Sequence, residues 1–170
     1  DPRYHQTTWC VDRAIEFIGE ERSQPWLMCV NIFEPHPPFA GLDLYRKHYP
    51  DEIIPDPLTG PEDCENYERL SEAFFQGKCN PDRPDIKTTI SHYYAMIELV
   101  DDQLGRLFRY LDNNDLRRNT LIIFHSDHGD MMGDHGLLAK GCRFYEGLVR
   151  IPLIISWPGR LEQNLRSGAL

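Results

Sequence analysis

Leu121-Ile122-Ile123-Phe124-His125-Ser126-Asp127-His128-Gly129-Asp130 is an apolar run that stops abruptly at side chains able to hold a cation. Four large apolar residues in succession predict a buried strand, and that strand delivers an Asp and a His into one turn. In open α/β sheets ligands gather beyond the carboxyl ends of the strands, so position and residue type together make Asp127 and His128 candidate metal ligands. Gly129 lets the chain turn without a Cβ in the way. The same residue types also build ordinary polar turns, and it is the sequence downstream that separates the two readings.

Gly133-Asp134-His135-Gly136 follows, then Lys140, then Phe144-Tyr145-Glu146-Gly147, then a second apolar run, Ile151-Pro152-Leu153-Ile154-Ile155-Ser156-Trp157, closed by Pro158-Gly159. Upstream, Pro25-Trp26-Leu27 leads into Glu34-Pro35-His36-Pro37-Pro38-Phe39, and His92-Tyr93-Tyr94-Ala95-Met96-Ile97-Glu98-Leu99-Val100-Asp101-Asp102 precedes the first apolar run. Taken in this order, the segments resemble the sulfatase family of the alkaline phosphatase superfamily, in particular its choline-sulfatase-like, arylsulfatase-like and phosphonate-monoester-hydrolase-like branch. The resemblance covers nearly all of residues 1–170.

The resemblance implies an α/β fold, an alkaline-phosphatase-like sandwich with a mostly parallel sheet, of which residues 1–170 are a partial catalytic domain. It implies hydrolysis of a small-molecule or carbohydrate sulfate ester by a formylglycine nucleophile, with Asp127 and His128 as metal ligands. Lys140 then contacts a sulfate oxygen, and His36 contacts the sulfate or protonates the leaving group. The implied cofactor is a divalent metal. Family likeness points to calcium, while a His ligand keeps manganese open because calcium prefers an all-oxygen shell. The family's acidic pair and its Cys-x-Pro-Ser-Arg type nucleophile motif have no counterpart before His36, so both are expected upstream of an internal fragment. A phosphonate or phosphodiester hydrolase on the same scaffold is the alternative, and a non-catalytic relative is the second.

Cys79-Asn80-Pro81-Asp82-Arg83 imitates the nucleophile motif but comes after His36, and Asp82 would put a negative charge where an anionic ester binds. It reads as a turn before a helix. His125, Asp130, Asp134 and His135 read as residues that shape the loop, and Arg143, Tyr145 and Glu146 as structural. Asp101 and Asp102 point about 100° apart on a helix, which suits a solvated or structural role better than a shared metal.

With 18 Lys and Arg against 27 Asp and Glu, the net charge of -9 argues against nucleic acid as a partner. No apolar run is long enough for a membrane span. The five cysteines, Cys10, Cys29, Cys64, Cys79 and Cys142, show no zinc-like spacing, and their odd number precludes a complete internal disulfide set. Cys29 is expected in the core.

Periodicity places a helix from a cap at Thr7 or Thr8 to about Arg22, with Val11, Ala14, Ile15 and Ile18 on one face. A strand is expected at 26–33, then a proline-rich excursion over 35–84 with a short helix near 67–75. A long helix follows, its stripe running through Ile86, Ile90, Tyr93, Ile97, Val100, Leu104, Leu107 and Leu111. Strands at 120–124 and 152–157 complete one sheet, whose ends bring His36, Asp127 and Lys140 to the same edge.

Overall fold

The computed structural model describes residues 1–60, 63, 77–78, 85–141 and 143–168, with the backbone alone at 77–78. Helix α1 spans Gln6–Gly19, one-turn α2 Asp43–Arg46, strand β1 Gly77–Lys78 and helix α3 Asp85–Asn113. Strands β2 (Ile122–His125) and β3 (Leu137–Leu138), one-turn α4 (Glu146–Val149) and strand β4 (Leu153–Ser156) complete the order. The short helix expected at 67–75, the Cys79 turn, Cys64 and Cys142 lie outside the described residues.

Helix α1 starts earlier than its threonines suggest. His5 is the N-cap, its Nδ1 accepting from the Thr7 N–H at 3.4 Å. Thr7 and Thr8 are buried because both hydroxyls have tertiary partners: Thr7 donates to the Glu34 carboxylate, and Thr8 donates to the Pro2 carbonyl at 2.6 Å. The helix ends at Gly19 instead of near Arg22, whose guanidinium folds back onto the Phe17 carbonyl. Val11, Ala14 and Ile18 pack against Leu107 and Leu111 of α3. Beside this seam Arg106 donates to Asp12 at 2.7 Å and to Gln103 at 2.5 Å.

The long helix has the expected extent and a rotated buried stripe. Ile86, Ile90, Ala95, Leu99, Gln103, Leu107 and Leu111 are buried, whereas Ile97 is exposed and Tyr93, Val100 and Leu104 are half-buried. Large aliphatic residues occur around much of this helix, so the partners choose the face. Tyr45 of α2 packs on Ala95 and Leu99, and Ile54 packs on Ile86 and Ile90. Asp102 is structural: the Tyr45 hydroxyl donates to its Oδ2 at 2.8 Å.

Residues 26–33 run extended on the α1–α3 layer, with half-buried Trp26, Met28, Val30 and Ile32 alternating with exposed Leu27, Cys29, Asn31 and Phe33. This is strand periodicity without a ladder: the expected strand pairs with no neighbour among the described residues. Cys29 falls on the outward side and is exposed, which corrects its assignment to the core. Strand β2 pairs antiparallel with β4, Ile122 opposite Ser156 and His125 opposite Leu153, and β1 pairs antiparallel with β3. The parallel part of the expected sheet therefore has no pairing among the described residues. The result is a partial α/β domain with an open sheet, and Ile123, Leu153, Ile154 and Ile155 are exposed on it.

Burial first, then the hydrogen bond to and charge of Asp102 and the charge of Glu98, push the Tyr45 hydroxyl from 10.0 up to about 12. A group whose folded value is raised contributes stability that is complete below its unfolded value and is lost as pH rises through the folded one. Tyr45→Phe is expected to cost about 1 to 2 kcal/mol at neutral pH. It should also remove the part of the alkaline loss of stability that falls between 10.0 and about 12. Urea unfolding across that range checks both.

Candidate functional site

The turn after β2 is built by its own polar atoms. The Ser126 hydroxyl donates to the His128 carbonyl at 2.7 Å, and the His128 N–H donates to Asp127 Oδ1 at 2.9 Å. His128 Nδ1 lies 2.7 Å from the Gly129 carbonyl, so Nδ1 carries the proton and the Nε2 lone pair is left for a ligand. That Nε2 is 3.6 Å from Asp127 Oδ2. Two neighbouring ligands of one cation, each at about 2.0 to 2.6 Å, sit at a comparable separation. Pinning the second imidazole nitrogen to a carbonyl is also how metal-binding histidines are commonly oriented. Asp127 and His128 therefore fit a divalent cation as part of its shell, although no group of three or more metal-capable side chains occurs among the described residues.

Gly129 owes its identity to a close approach. Its N–H donates to the Leu148 carbonyl at 2.9 Å, and a Cβ there would stand 1.9 Å from the Gly147 carbonyl oxygen. The loop then folds over a buried plug of Met131, Leu137 and Leu148. Asp130 Oδ1 accepts from the Met132 N–H at 3.1 Å, and the Met131 N–H donates to Ala139 at 3.1 Å. These bonds return the chain to Lys140. Asp134 and His135 serve the same frame: Asp134 Oδ1 accepts from the Leu58 N–H at 2.7 Å, and His135 stacks on Tyr145 with centroids 4.4 Å apart.

Asp127, His128 and Lys140 line one cavity of about 370 Å³. Gly141 and Arg143 share it, with Leu148, Val149 and Ile151 as its apolar lining. Burial raises the Asp127 carboxyl, but the His128 N–H, the His128 ring and Lys140 outweigh it, and the group sits below its ordinary value. Asp130 goes the other way. Burial prevails there over the Met132 N–H, Lys140 and the Ala139 N–H, and raises its carboxyl. Ile86 and Ile90 of α3 pack with Met132 and Leu138 of the loop, and Tyr93 of the same helix is raised by burial and by the charge of Asp130.

His36 stands outside the group that lines this cavity. Its exposed ring lies 4.4 Å from the Phe33 ring, with Nδ1 2.8 Å from the Pro37 carbonyl. Two residues earlier Glu34 is nearly buried, at 6% exposure, and its carboxylate ties this loop to Thr7 and lies 3.7 Å from His5 Nδ1. From sequence, Glu34 has no role of its own, and Arg143 reads as structural although it lines the cavity. Glu34 has no sequence signal, since its partner is twenty-seven residues away, while Arg143 follows Lys140 closely enough to have been weighed with it. Tyr145 stacks on His135, and Glu146 pairs with Arg150 at 3.6 Å on the surface.

A sequence model of the sulfatase family matches residues 3–169. An arylsulfatase of Clostridium perfringens is 36% identical over 162 residues, covering 92% of this chain and 33% of that protein. A choline-sulfatase of Rhizobium meliloti is 32% identical over 146 residues, 82% of this chain and 28% of that one. The crystal structure of a phosphonate monoester hydrolase of Agrobacterium radiobacter superposes with a TM-score of 0.82 at 32% identity, over 94% of this chain and 34% of that chain. The chain thus spans about a third of the length of the relatives it matches.

The Gly129 contact yields a stability test. Gly129→Ala forces a Cβ onto a carbonyl and is expected to cost about 1 to 3 kcal/mol or more. Gly168→Ala, where a Cβ meets nothing within 4 Å, should change stability by no more than about 0.5 kcal/mol. Parallel urea titrations of the two variants decide whether the approach is as close as described.

Proposed function

The chain belongs to the sulfatase family, and from that premise we propose that it is the part of a metal-dependent sulfate ester hydrolase that supplies Asp127, His128, Lys140 and His36 to the active site. The observation that carries the proposal is the pairing of Asp127 Oδ2 and His128 Nε2 at 3.6 Å in one cavity with Lys140. A divalent cation, when bound by that pair, supplies charge that polarises the sulfate oxygens. Calcium is the metal the family suggests, and the imidazole ligand keeps manganese as the alternative.

The chain's own residues then divide the work. Lys140 presents a point charge to a sulfate oxygen and offsets the negative charge of the ester. Asp127, ionised and held by the His128 N–H, keeps its second oxygen directed toward His128 Nε2. His36 has Nδ1 committed to the Pro37 carbonyl, so Nε2 is the atom from which a proton reaches the leaving alcohol oxygen. The nucleophile, a formylglycine in this proposal, comes from a part of the longer protein beyond residues 1–170. The likeness to a phosphonate monoester hydrolase structure supports a second reading, in which a phosphonate monoester takes the place of the sulfate.

Residues 1–170 by themselves should show no turnover of an aryl sulfate and only weak calcium or manganese binding, because two protein ligands provide a small part of a cation's shell. Calorimetric titration and a chromogenic assay test this, and tight stoichiometric binding would contradict it. In the longer protein, Asp127→Ala should lose activity that excess metal partly restores. Lys140→Ala should lose roughly a hundredfold or more in kcat with no rescue by metal. His36→Ala should penalise esters of poorly acidic alcohols more than aryl esters, as read from kcat over leaving groups of graded acidity. Equal loss on every ester would make His36 a sulfate contact instead of the acid. Aryl sulfate against aryl phosphonate monoester, assayed side by side, decides between the two substrates.

A further inference from the structure

We propose that Glu34 is a positioning residue for His36: its carboxylate, anchored on the N-terminal end of α1, sets the place of the loop that carries the His36 imidazole. The inference rests on the proposed hydrolase reading and deepens it at one residue. The His36 ring is exposed, and its contacts with the Phe33 ring at 4.4 Å and the Pro37 carbonyl at 2.8 Å belong to its own loop. Contacts of that kind travel with the loop and do not fix it against the rest of the protein. Glu34 does. It stands inside the turn that the His36 N–H closes on the Phe33 carbonyl at 3.1 Å, and its side chain is 6% exposed while the His36 ring faces outward.

The anchor is a rigid one. The Glu34 carboxylate accepts from the Thr7 hydroxyl and lies 3.7 Å from Nδ1 of His5, the N-cap of α1. Thr7 is fully buried, and its helix packs through Val11, Ala14 and Ile18 on Leu107 and Leu111 of α3. The same helix end favours a negative group through its dipole. Burying a carboxylate is costly unless it is hydrogen-bonded or paired, and an apolar side chain would hold the loop to α1 without that cost. The hydrogen bond adds direction, since it fixes one orientation where an apolar contact tolerates sliding. At the far side of the loop Phe39 meets Tyr93 of α3 with ring centroids 5.9 Å apart, a contact of the apolar kind. A proton donor needs the directional restraint: transfer requires heavy atoms about 2.6 to 3.2 Å apart, and a displacement of about 1 Å costs about a hundredfold in rate.

The experiment uses the longer protein that contains this segment and breaks the anchor from both sides. Glu34→Ala and Thr7→Val remove the acceptor and the donor, while Glu34→Gln and Thr7→Ser keep them. Each is made with His36 present and in the His36→Ala background, and kcat and KM are measured on alkyl sulfates and on sulfates of acidic phenols. Glu34→Ala and Thr7→Val should lower kcat on the alkyl esters about ten- to a hundredfold, with less loss on the phenol esters and little change in KM. Glu34→Gln and Thr7→Ser should retain most of the activity. In the His36→Ala background neither Glu34→Ala nor Thr7→Val should cost anything further, because the group they position is gone. An equal loss on every ester, or a loss that persists without His36, would overturn the proposal by reducing Glu34 to a support of the fold. Unchanged kcat in either anchor-breaking variant would overturn it as well. A wild type active on phosphonate monoesters and on no sulfate ester removes the sulfate reading alone, and the same series on phosphonate esters then decides the role of Glu34. A wild type that hydrolyses neither class refutes both.

Discussion

The closest constraint in this structure is the approach of one peptide to another: Gly129 at the turn after β2 lies against Gly147 and Leu148 of α4, with no room for a Cβ. That contact joins two segments that each carry part of the cavity. On one side it fixes the turn holding Asp127 and His128, and on the other it fixes Leu148, which fills the plug with Met131 and Leu137. The plug in turn supports the loop whose backbone bonds lead back to Lys140. Such sites need positions held within a fraction of an ångström, and here a backbone–backbone contact contributes to that more directly than side-chain packing can.

Around this frame the electrostatics are locally inverted. The chain is acidic as a whole, yet the charge of Lys140 acts to lower both the Asp127 and the Asp130 carboxyl while Arg143 borders the same cavity. Asp130 is half-buried and its carboxylate is bonded to loop N–H groups, so it serves the shape of the loop, while Asp127 is exposed. Two carboxylates three positions apart thus have different tasks because burial differs between them.

The long helix shows how partners override pattern. Ile97 is as apolar as Ile90, but it is exposed among the described residues, whereas Ala95 and Leu99 are covered by Tyr45. The same reasoning applies to 26–33, where alternation was legible and pairing was not. Period-2 burial needs only a helix layer beneath the chain, while a ladder needs another backbone alongside. The exposed face of β2 and β4 belongs to an open sheet in a chain that spans about a third of its relatives, and the outward residues of 26–33 are exposed without pairing among the described residues.

Sequence by itself determined the family, the α/β class, the extents of α3, β2 and β4 to within a few residues, and the likeness that singled out Asp127, His128 and Lys140. These are properties of local order: apolar periodicity, turn residues and motif spacing survive in a string. Tertiary structure alone decided that Lys140 shares its cavity with Asp127 and His128, that Arg143 joins them and His36 does not, and that Glu34 is buried against Thr7. It also decided that Cys29 faces outward, and that His5 and not a threonine caps α1. Each of those depends on which distant group occupies the space beside a residue, and hydrogen-bond satisfaction and burial are set by that neighbour instead of by the residue's own place in the chain.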